Sequence, residues 1–337
     1  MQHGTDDGWM QAAVAAASAV RATAHPNPWV GCTIVADGEL IATGGTQPPG
    51  QAHAEVDALH RAGDRARGAT AYVTLEPCSH VGRTGPCADA LIEAGVSRVV
   101  VAILDPDPRV SGQGVERLRA AGIAVEVGCG AGLVEDQLAP YLHQRRTGRP
   151  YVVLKLAATL DGRTAAPDRT SQWITGPLAR ADAHRLRAES DSIVVGAGTV
   201  RDDDPTLTAR DAEGPDPQRV VLGRAPDGAR VHPCTEWDGS IRDLLDDLGG
   251  RGHVQTLFEG GATVAGSLHR AGLVDRYVVY LAPAILGGDD APGLFRGPGA
   301  ATITDAWRGR IDAVAQLGED VRIDLVPHHR TTTEGTP

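Results

Sequence analysis

His53-Ala54-Glu55, followed by Pro77-Cys78-Ser79-His80-Val81-Gly82-Arg83-Thr84-Gly85-Pro86-Cys87, is the stretch around which the first half of the chain is organised. It holds an imidazole, two thiols and a carboxylate. Zinc binds imidazole nitrogen and thiolate sulfur, and three such ligands leave its fourth tetrahedral position to water. Glu55, two residues after the histidine, can stand beside that water without ligating. The apolar run Thr70–Leu75 reads as a strand broken by Glu76-Pro77-Cys78. Cys87–Ala94 reads as a helix opened by Pro86, and His53–Arg61 as another with Glu55 in its first turn. Two helix starts facing one strand end can bring His53, Cys78 and Cys87 to a single point.

Working outward, 337 residues is long for one core. We expect two domains, 1–147 and 148–337, divided at the turn-rich Thr147-Gly148-Arg149-Pro150. The net charge of −11 argues against a nucleic-acid partner, whose phosphates need clustered cations. A small molecule held by a few local arginines is compatible with it. Five cysteines fit no closed disulfide framework. Cys78 and Cys87 read as metal ligands, and Cys32, Cys129 and Cys234 as buried or free thiols, which implies a reducing cytoplasm. The opening residues carry Asp6 and Asp7 and no basic region, and the apolar run 12–20 is too short to cross a bilayer. We expect no membrane anchor.

The first half continues as helix 8–22, an extended run Trp29–Val35, a tight turn at Asp37-Gly38 and a strand Leu40–Thr43. After the zinc stretch come strand Arg98–Leu104, helix Gly114–Ala121, strand Ile123–Val127 and one longer helix, Leu133–Arg146. In the second half Tyr151–Ala158, Ser192–Gly196, Arg219–Leu222, Val254–Phe258 and Arg276–Ala282 read as strands. Pro177–Glu189, Ile241–Leu248 and Thr263–Ala271 read as helices, and the polar tail Thr331–Pro337 as a frayed end. Strands alternating with helices make both halves α/β layered domains.

A histidine, a glutamate two residues on and a cysteine pair form the pattern of zinc deaminases, where the metal acidifies water and the glutamate moves protons. The usual C-x-x-C is replaced here by eight intervening residues. With Pro26-Asn27-Pro28, Val30-Gly31-Cys32 and Thr74-Leu75-Glu76-Pro77-Cys78, that long spacing resembles the deaminase domain of the bifunctional pyrimidine deaminase/reductase family of riboflavin biosynthesis. The resemblance implies a cytidine-deaminase-like three-layer domain with zinc on His53, Cys78 and Cys87 and Glu55 as the catalytic proton carrier. It implies that Asn27, His80 and Arg83 contact a phosphoribosylaminopyrimidine substrate. Thr46 stands where the family usually has a histidine, which removes one expected substrate contact.

On physical grounds the second half offers one ligand signal: Gly260-Gly261 follows an apolar strand and opens a helix, a site suited to pyrophosphate. The resemblance extends over it through Lys155-Leu156-Ala157, Leu160-Asp161-Gly162-Arg163-Thr164, Ser171-Gln172-Trp173-Ile174-Thr175, Gly198-Thr199-Val200, Asp203-Asp204-Pro205, Leu207-Thr208-Ala209-Arg210 and Glu259-Gly260-Gly261. It implies a dihydrofolate-reductase-like domain using NADPH, lined by Ala157, Trp173, Thr199, Asp203 and Gly261. Ser171, Arg187, Leu207, Arg210 and Glu259 would hold the substrate, with Arg187 and Arg210 binding its phosphate. Gly223-Arg224 departs from the family pattern, and the stretch His232–Ile241 is short enough to lose a strand. Lys155 is the single lysine among 32 basic residues, and no role follows for it.

The expected activity is deamination of 2,5-diamino-6-(5-phosphoribosylamino)pyrimidin-4(3H)-one, then reduction of its ribosyl chain to ribityl, by a homo-oligomer. The alternatives are a paralogous pyrimidine-modifying enzyme of secondary metabolism, a nucleic-acid base deaminase, and a non-catalytic zinc-stabilised binding protein. The last is disfavoured by Glu55.

Overall fold

The computed structural model describes residues 5–80, 85–108, 110–210 and 212–328. The chain divides into two compact units, Met1–Arg149 and Pro150–Pro337.

The first unit is built on a five-stranded sheet. Its strands are β1 (Gly31–Ala36), β2 (Glu39–Gly45), β3 (Thr70–Leu75), β4 (Arg98–Ile103) and β5 (Ala124–Val127), in the order β2-β1-β3-β4-β5. Its helices are α1 (Asp6–Ala19), α2 (Arg21–Ala24), α3 (Ala54–Ala62), α4 (Cys87–Ala94), α5 (Gln113–Ala120), α6 (Ala131–Gln137) and α7 (Ala139–Thr147). Asp37 and Gly38 both take positive φ, 51° and 75°, which suits the tight hairpin between β1 and β2. Small residues let helices close on both faces of that hairpin. A Cβ on Gly31 would lie 1.9 Å from the Ala13 carbonyl oxygen of α1, and one on Gly44 would lie 2.4 Å from that of Ala54 in α3. The result is a three-layer α/β/α unit.

Strand direction then positions the site. β1 runs antiparallel to β2 and β3, whereas β3, β4 and β5 are parallel. The start of β1 therefore shares one end of the sheet with the finishes of β2, β3 and β4. Two expected helices divide. The first bends at Val20, whose backbone leaves the helical region (φ −105°, ψ 4°). The run Leu133–Arg146 breaks at Leu138 into α6 and α7, because Pro140 has no N–H for the preceding turn.

The second unit carries eight strands: β6 (Tyr151–Thr159), β7 (Ser192–Gly196), β8 (Gln218–Leu222), β9 (Thr235–Trp237), β10 (Gln255–Phe258), β11 (Arg276–Ala282), β12 (Gly309–Leu317) and β13 (Asp320–Pro327). They lie in the order β12-β13-β11-β6-β10-β7-β8-β9; neighbours from β11 to β9 are parallel, and β13 runs antiparallel to both β11 and β12. The helices are α8 (Pro177–Ala188), α9 (Ala197–Asp203), α10 (Ile241–Gly250) and α11 (Ala262–Arg270). Leu154, Val194 and Phe258 of the sheet pack with Leu244, Leu245 and Leu248 of α10 and Leu268 of α11. The strand expected to be lost within His232–Ile241 is present: Thr235–Trp237 pairs with Val220–Leu222. The tail from residue 329 lies outside the described residues. Among the described residues no helix is long and apolar enough to cross a membrane.

Two glycine substitutions test the layer packing. Gly31→Ala must displace α1 and should destabilise the first unit by roughly 1–3 kcal/mol. Gly132→Ala, in the first turn of α6 with nothing within 4 Å of its Cβ, should stabilise by about 0.4–1 kcal/mol. Urea unfolding of the two variants should move in opposite directions.

Candidate active sites

His53 is the N-cap of α3, Cys78 follows the end of β3, and Cys87 is the first residue of α4. Their ligand atoms lie within 4.8 Å of one another. His53 Nδ1 is 3.6 Å from Cys78 Sγ and 3.3 Å from Cys87 Sγ. A tetrahedral zinc with Zn–N and Zn–S bonds near 2.0 and 2.3 Å requires an N···S edge of about 3.6 Å. One imidazole and two thiols at that spacing fit zinc. The backbone supports the set: Cys87 N–H donates to Cys78 Sγ at 3.3 Å, and Ala88 N–H to the Cys78 carbonyl at 3.1 Å.

The electrostatics agree. A hydrogen bond from the Cys87 thiol, aided by His53, holds the Cys78 thiol down to about 4. The same bond, with burial, pushes Cys87 well up, so the two thiols share one proton that a divalent cation would displace. The bond to Cys78 raises His53. Glu55, second residue of α3, is only 3% exposed. Burial, then the charge on Cys78, pushes its carboxyl up to about 7.

Asn27 lies ahead of β1, at the same end of the sheet as Cys78. Two threonines suspend its segment: Val30 N–H donates to Thr46 Oγ1 at 3.0 Å, and Gly31 N–H to Thr74 Oγ1 at 3.1 Å. Thr46, standing where the family usually has a histidine, is 2% exposed and serves the main chain. His80 is exposed two residues beyond Cys78, and Arg83 lies outside the described residues.

In the second unit part of the expected set meets in pairs near the carboxyl ends of the parallel strands, where α/β sheets bind ligands. Phe258 of β10 is level with Leu154 of β6 and Val194 of β7, which sets Glu259 beside Lys155. Glu259 receives Arg187 Nε at 2.7 Å and Nη2 at 2.8 Å, and Lys155 Nζ lies 3.8 Å away. Arg187 Nη1 donates to the Thr208 carbonyl at 3.1 Å, and His184 Nδ1 meets that oxygen at 2.9 Å. The Arg187 fork, expected to grip phosphate, thus holds Glu259. Arg210 is exposed. Ser171 donates to Asp203 at 3.1 Å. A Cβ on Gly261, the N-cap of α11, would come 3.7 Å from Thr199 Oγ1. Ala157 lies on β6 opposite Tyr280. Leu207 is buried at a positive φ of 54°, uncommon for a bulky side chain. Trp173 is 68% exposed, with Arg180 4.7 Å over its ring.

Both units match known proteins. Residues 4–103 match the cytidine and deoxycytidylate deaminase zinc-binding region, and residues 150–323 the RibD C-terminal domain. The chain is 42% identical to the riboflavin biosynthesis protein RibD of Escherichia coli K12, covering 95% of this chain and 99% of that one. It is 44% identical to the RibD of Mycobacterium tuberculosis H37Rv, covering 91% and 93%. The chain belongs to the RibD family. Among solved structures, Acinetobacter baumannii RibD superposes with a TM-score of 0.88 at 39% identity, covering 96% of this chain and 98% of that one. A diaminohydroxyphosphoribosylaminopyrimidine deaminase/5-amino-6-(5-phosphoribosylamino)uracil reductase from Thermotoga maritima gives 0.86 at 30%, covering 97% and 100%. As a RibD-family member this is a bifunctional enzyme of riboflavin biosynthesis, with a deaminase unit and a reductase unit.

The RibD reading absorbs Lys155, for which sequence reasoning found no role: strand register makes it the second cation of Glu259. Burial pushes the Glu259 carboxyl up, but the charges of Arg187 and Lys155 outweigh it and hold the group down to about 2. Because the folded value lies below the ordinary 4.5, the pair stabilises the fold above that pH. The contribution fades as pH falls toward about 2. Arg187→Met should destabilise the reductase unit by roughly 3–5 kcal/mol at neutral pH, by leaving a buried carboxylate short of its partner. Urea titrations of variant and parent should converge as the solution is acidified.

Proposed function

We propose that the first unit hydrolytically removes an exocyclic amine from the phosphoribosyl diaminopyrimidine named by the Thermotoga relative, and that the second reduces the ribosyl chain of the product with NADPH. The carrying observation is the convergence of His53, Cys78 and Cys87 beside a buried glutamate. Zinc held by those three residues would supply the Lewis acidity that makes water nucleophilic at neutral pH. Glu55 takes a proton from the attacking water and delivers it to the adjacent ring nitrogen. It then takes the remaining proton from the hydroxyl of the tetrahedral adduct and delivers it to the amine, so that the carbon–nitrogen bond breaks, ammonia leaves and a ring carbonyl is left. The burial of Glu55 in the first turn of α3, two residues after His53, supports that role. The reading assigns Asn27, His80 and Arg83 to contacts with the pyrimidine or its ribose phosphate.

In the second unit NADPH would supply hydride to the opened ribosyl chain. The bare backbone at Gly260 and Gly261 suits its pyrophosphate, and the reading assigns Ala157, Trp173, Thr199 and Asp203 to the rest of the cofactor. Ser171, Leu207, Arg210 and Glu259 address the substrate. Of the two arginines assigned to phosphate, Arg210 is the better suited, because Arg187 is held on Glu259. The same reading carries a cytoplasmic homo-oligomer, supported by the free thiols of Cys32, Cys129 and Cys234 and by Ile311 and Val314 exposed on the edge strand β12.

Mass spectrometry of products formed with and without NADPH tests both halves. The uracil derivative should accumulate without NADPH, and the ribityl product should appear with it. Glu55→Gln should lower ammonia release by about 10²–10⁴-fold while leaving NADPH oxidation with the deaminated substrate unchanged. Ammonia release that persists in this variant removes Glu55 from the mechanism.

A further inference from the structure

The two cysteines of the deaminase centre sit on different segments, and one side chain outside the ligand set joins those segments. Arg117, on α5, donates from Nη1 to the Ser79 carbonyl at 3.1 Å, next to Cys78. Its Nε and Nη2 grip both oxygens of Asp89 at 2.6 and 2.8 Å. Asp89 lies in the first turn of α4, two residues after Cys87. One planar guanidinium therefore spans the carbonyl beside the first thiol and the helix turn that begins with the second.

The helix carrying Arg117 is itself fixed against the same loop. The Glu76 carboxylate, 4% exposed, accepts N–H bonds from Asp105, Gly112, Gly114 and Val115 at 3.3, 2.9, 2.9 and 3.3 Å. A Cβ on Gly114 would fall 1.9 Å from the Pro77 carbonyl oxygen, so the start of α5 lies directly against the residue before Cys78. Arg117 follows one turn later. It thus reaches out from an anchored frame, although its side chain is 47% exposed and that of Asp89 is 32% exposed. An ion pair so exposed contributes little to stability. Its geometric effect is of another kind, because groups outside the ligand set that orient metal ligands commonly change affinity by about 10–100-fold.

We propose that Arg117 is a positioning residue of the deaminase centre, fixing Cys78 relative to Cys87 and so setting zinc affinity. This rests on the zinc reading of His53, Cys78 and Cys87. The test compares full-length parent, Arg117→Met, Arg117→Lys, Asp89→Asn and His53→Ala. Zinc dissociation is followed by chelator competition, and thiolate absorption after cobalt substitution reports ligand geometry. Arg117→Met should bind zinc about 10–100-fold more weakly and shift the cobalt spectrum. Its reductase activity and melting temperature should stay near the parent's. Arg117→Lys should resemble it, since an ammonium cannot reproduce the fork, and Asp89→Asn should weaken zinc in the same direction. Unchanged zinc affinity and cobalt spectrum in Arg117→Met, with zinc still dependent on His53, overturns this inference alone. Zinc that survives His53→Ala overturns the metal reading and this inference with it.

Discussion

Because β1 runs against both β2 and β3 while β4 runs with β3, four chain segments meet at one end of the first sheet. The entry to β1 brings Asn27, the exit of β2 leads to Thr46 and His53, the exit of β3 carries Cys78, and the exit of β4 brings Asp105. Without that reversal the imidazole and the thiols would stand at opposite ends of strands spanning some 20 Å. The Asp37-Gly38 turn makes the reversal, and small residues let helices cover the hairpin it forms. Gly31 and Gly44 let α1 and α3 press on opposite faces of the hairpin, and a methyl group at either position would collide with helix backbone. Metal geometry near the sheet end thus depends on steric allowances within the hairpin.

The second unit gathers its residues differently. Its parallel strands finish at a common end, and register alone puts Glu259 beside Lys155. A buried carboxylate then draws Arg187 in from α8 and holds it. The first unit places soft ligands by strand reversal and helix starts, whereas the second places charges by register and pairs them.

The convergence of His53, Cys78 and Cys87 was legible in the sequence because each sits at an element boundary that local residues announce: a strand broken by Glu76-Pro77, a helix opened by Pro86, and another beginning at His53. The Asp37-Gly38 hairpin and most parallel strands were legible for similar local reasons. The β12–β13 hairpin was not. Ile311 and Val314 are 57% and 62% exposed, and an irregularity between Ile311 and Ala313 disrupts the alternation that marks a strand. The single long helix expected over Leu133–Arg146 failed because its apolar spacing continues across Pro140 while its hydrogen bonding does not. Pairings over long separations, such as Arg187 with Glu259 or Arg117 with Asp89, carry no local signal. They depend on helix phase and on which helix lies over which strand end.

Those two pairs share one geometry, a guanidinium fork closed on a carboxylate, yet differ physically through burial. Arg187 and Glu259 are 14% and 9% exposed at their side chains, so removing either leaves a charge that water cannot reach. Arg117 and Asp89 face solvent, and water can replace most of what each loses. The buried fork therefore acts through energy, keeping Glu259 ionised at a strand end where a neutral acid would otherwise be favoured. The exposed fork acts through geometry, since its third donor reaches the carbonyl next to Cys78. A metal site whose ligands come from separate loops is sensitive to such a tether, because a shift of a few tenths of an ångström in one sulfur changes a bond that tolerates only about 0.2 Å.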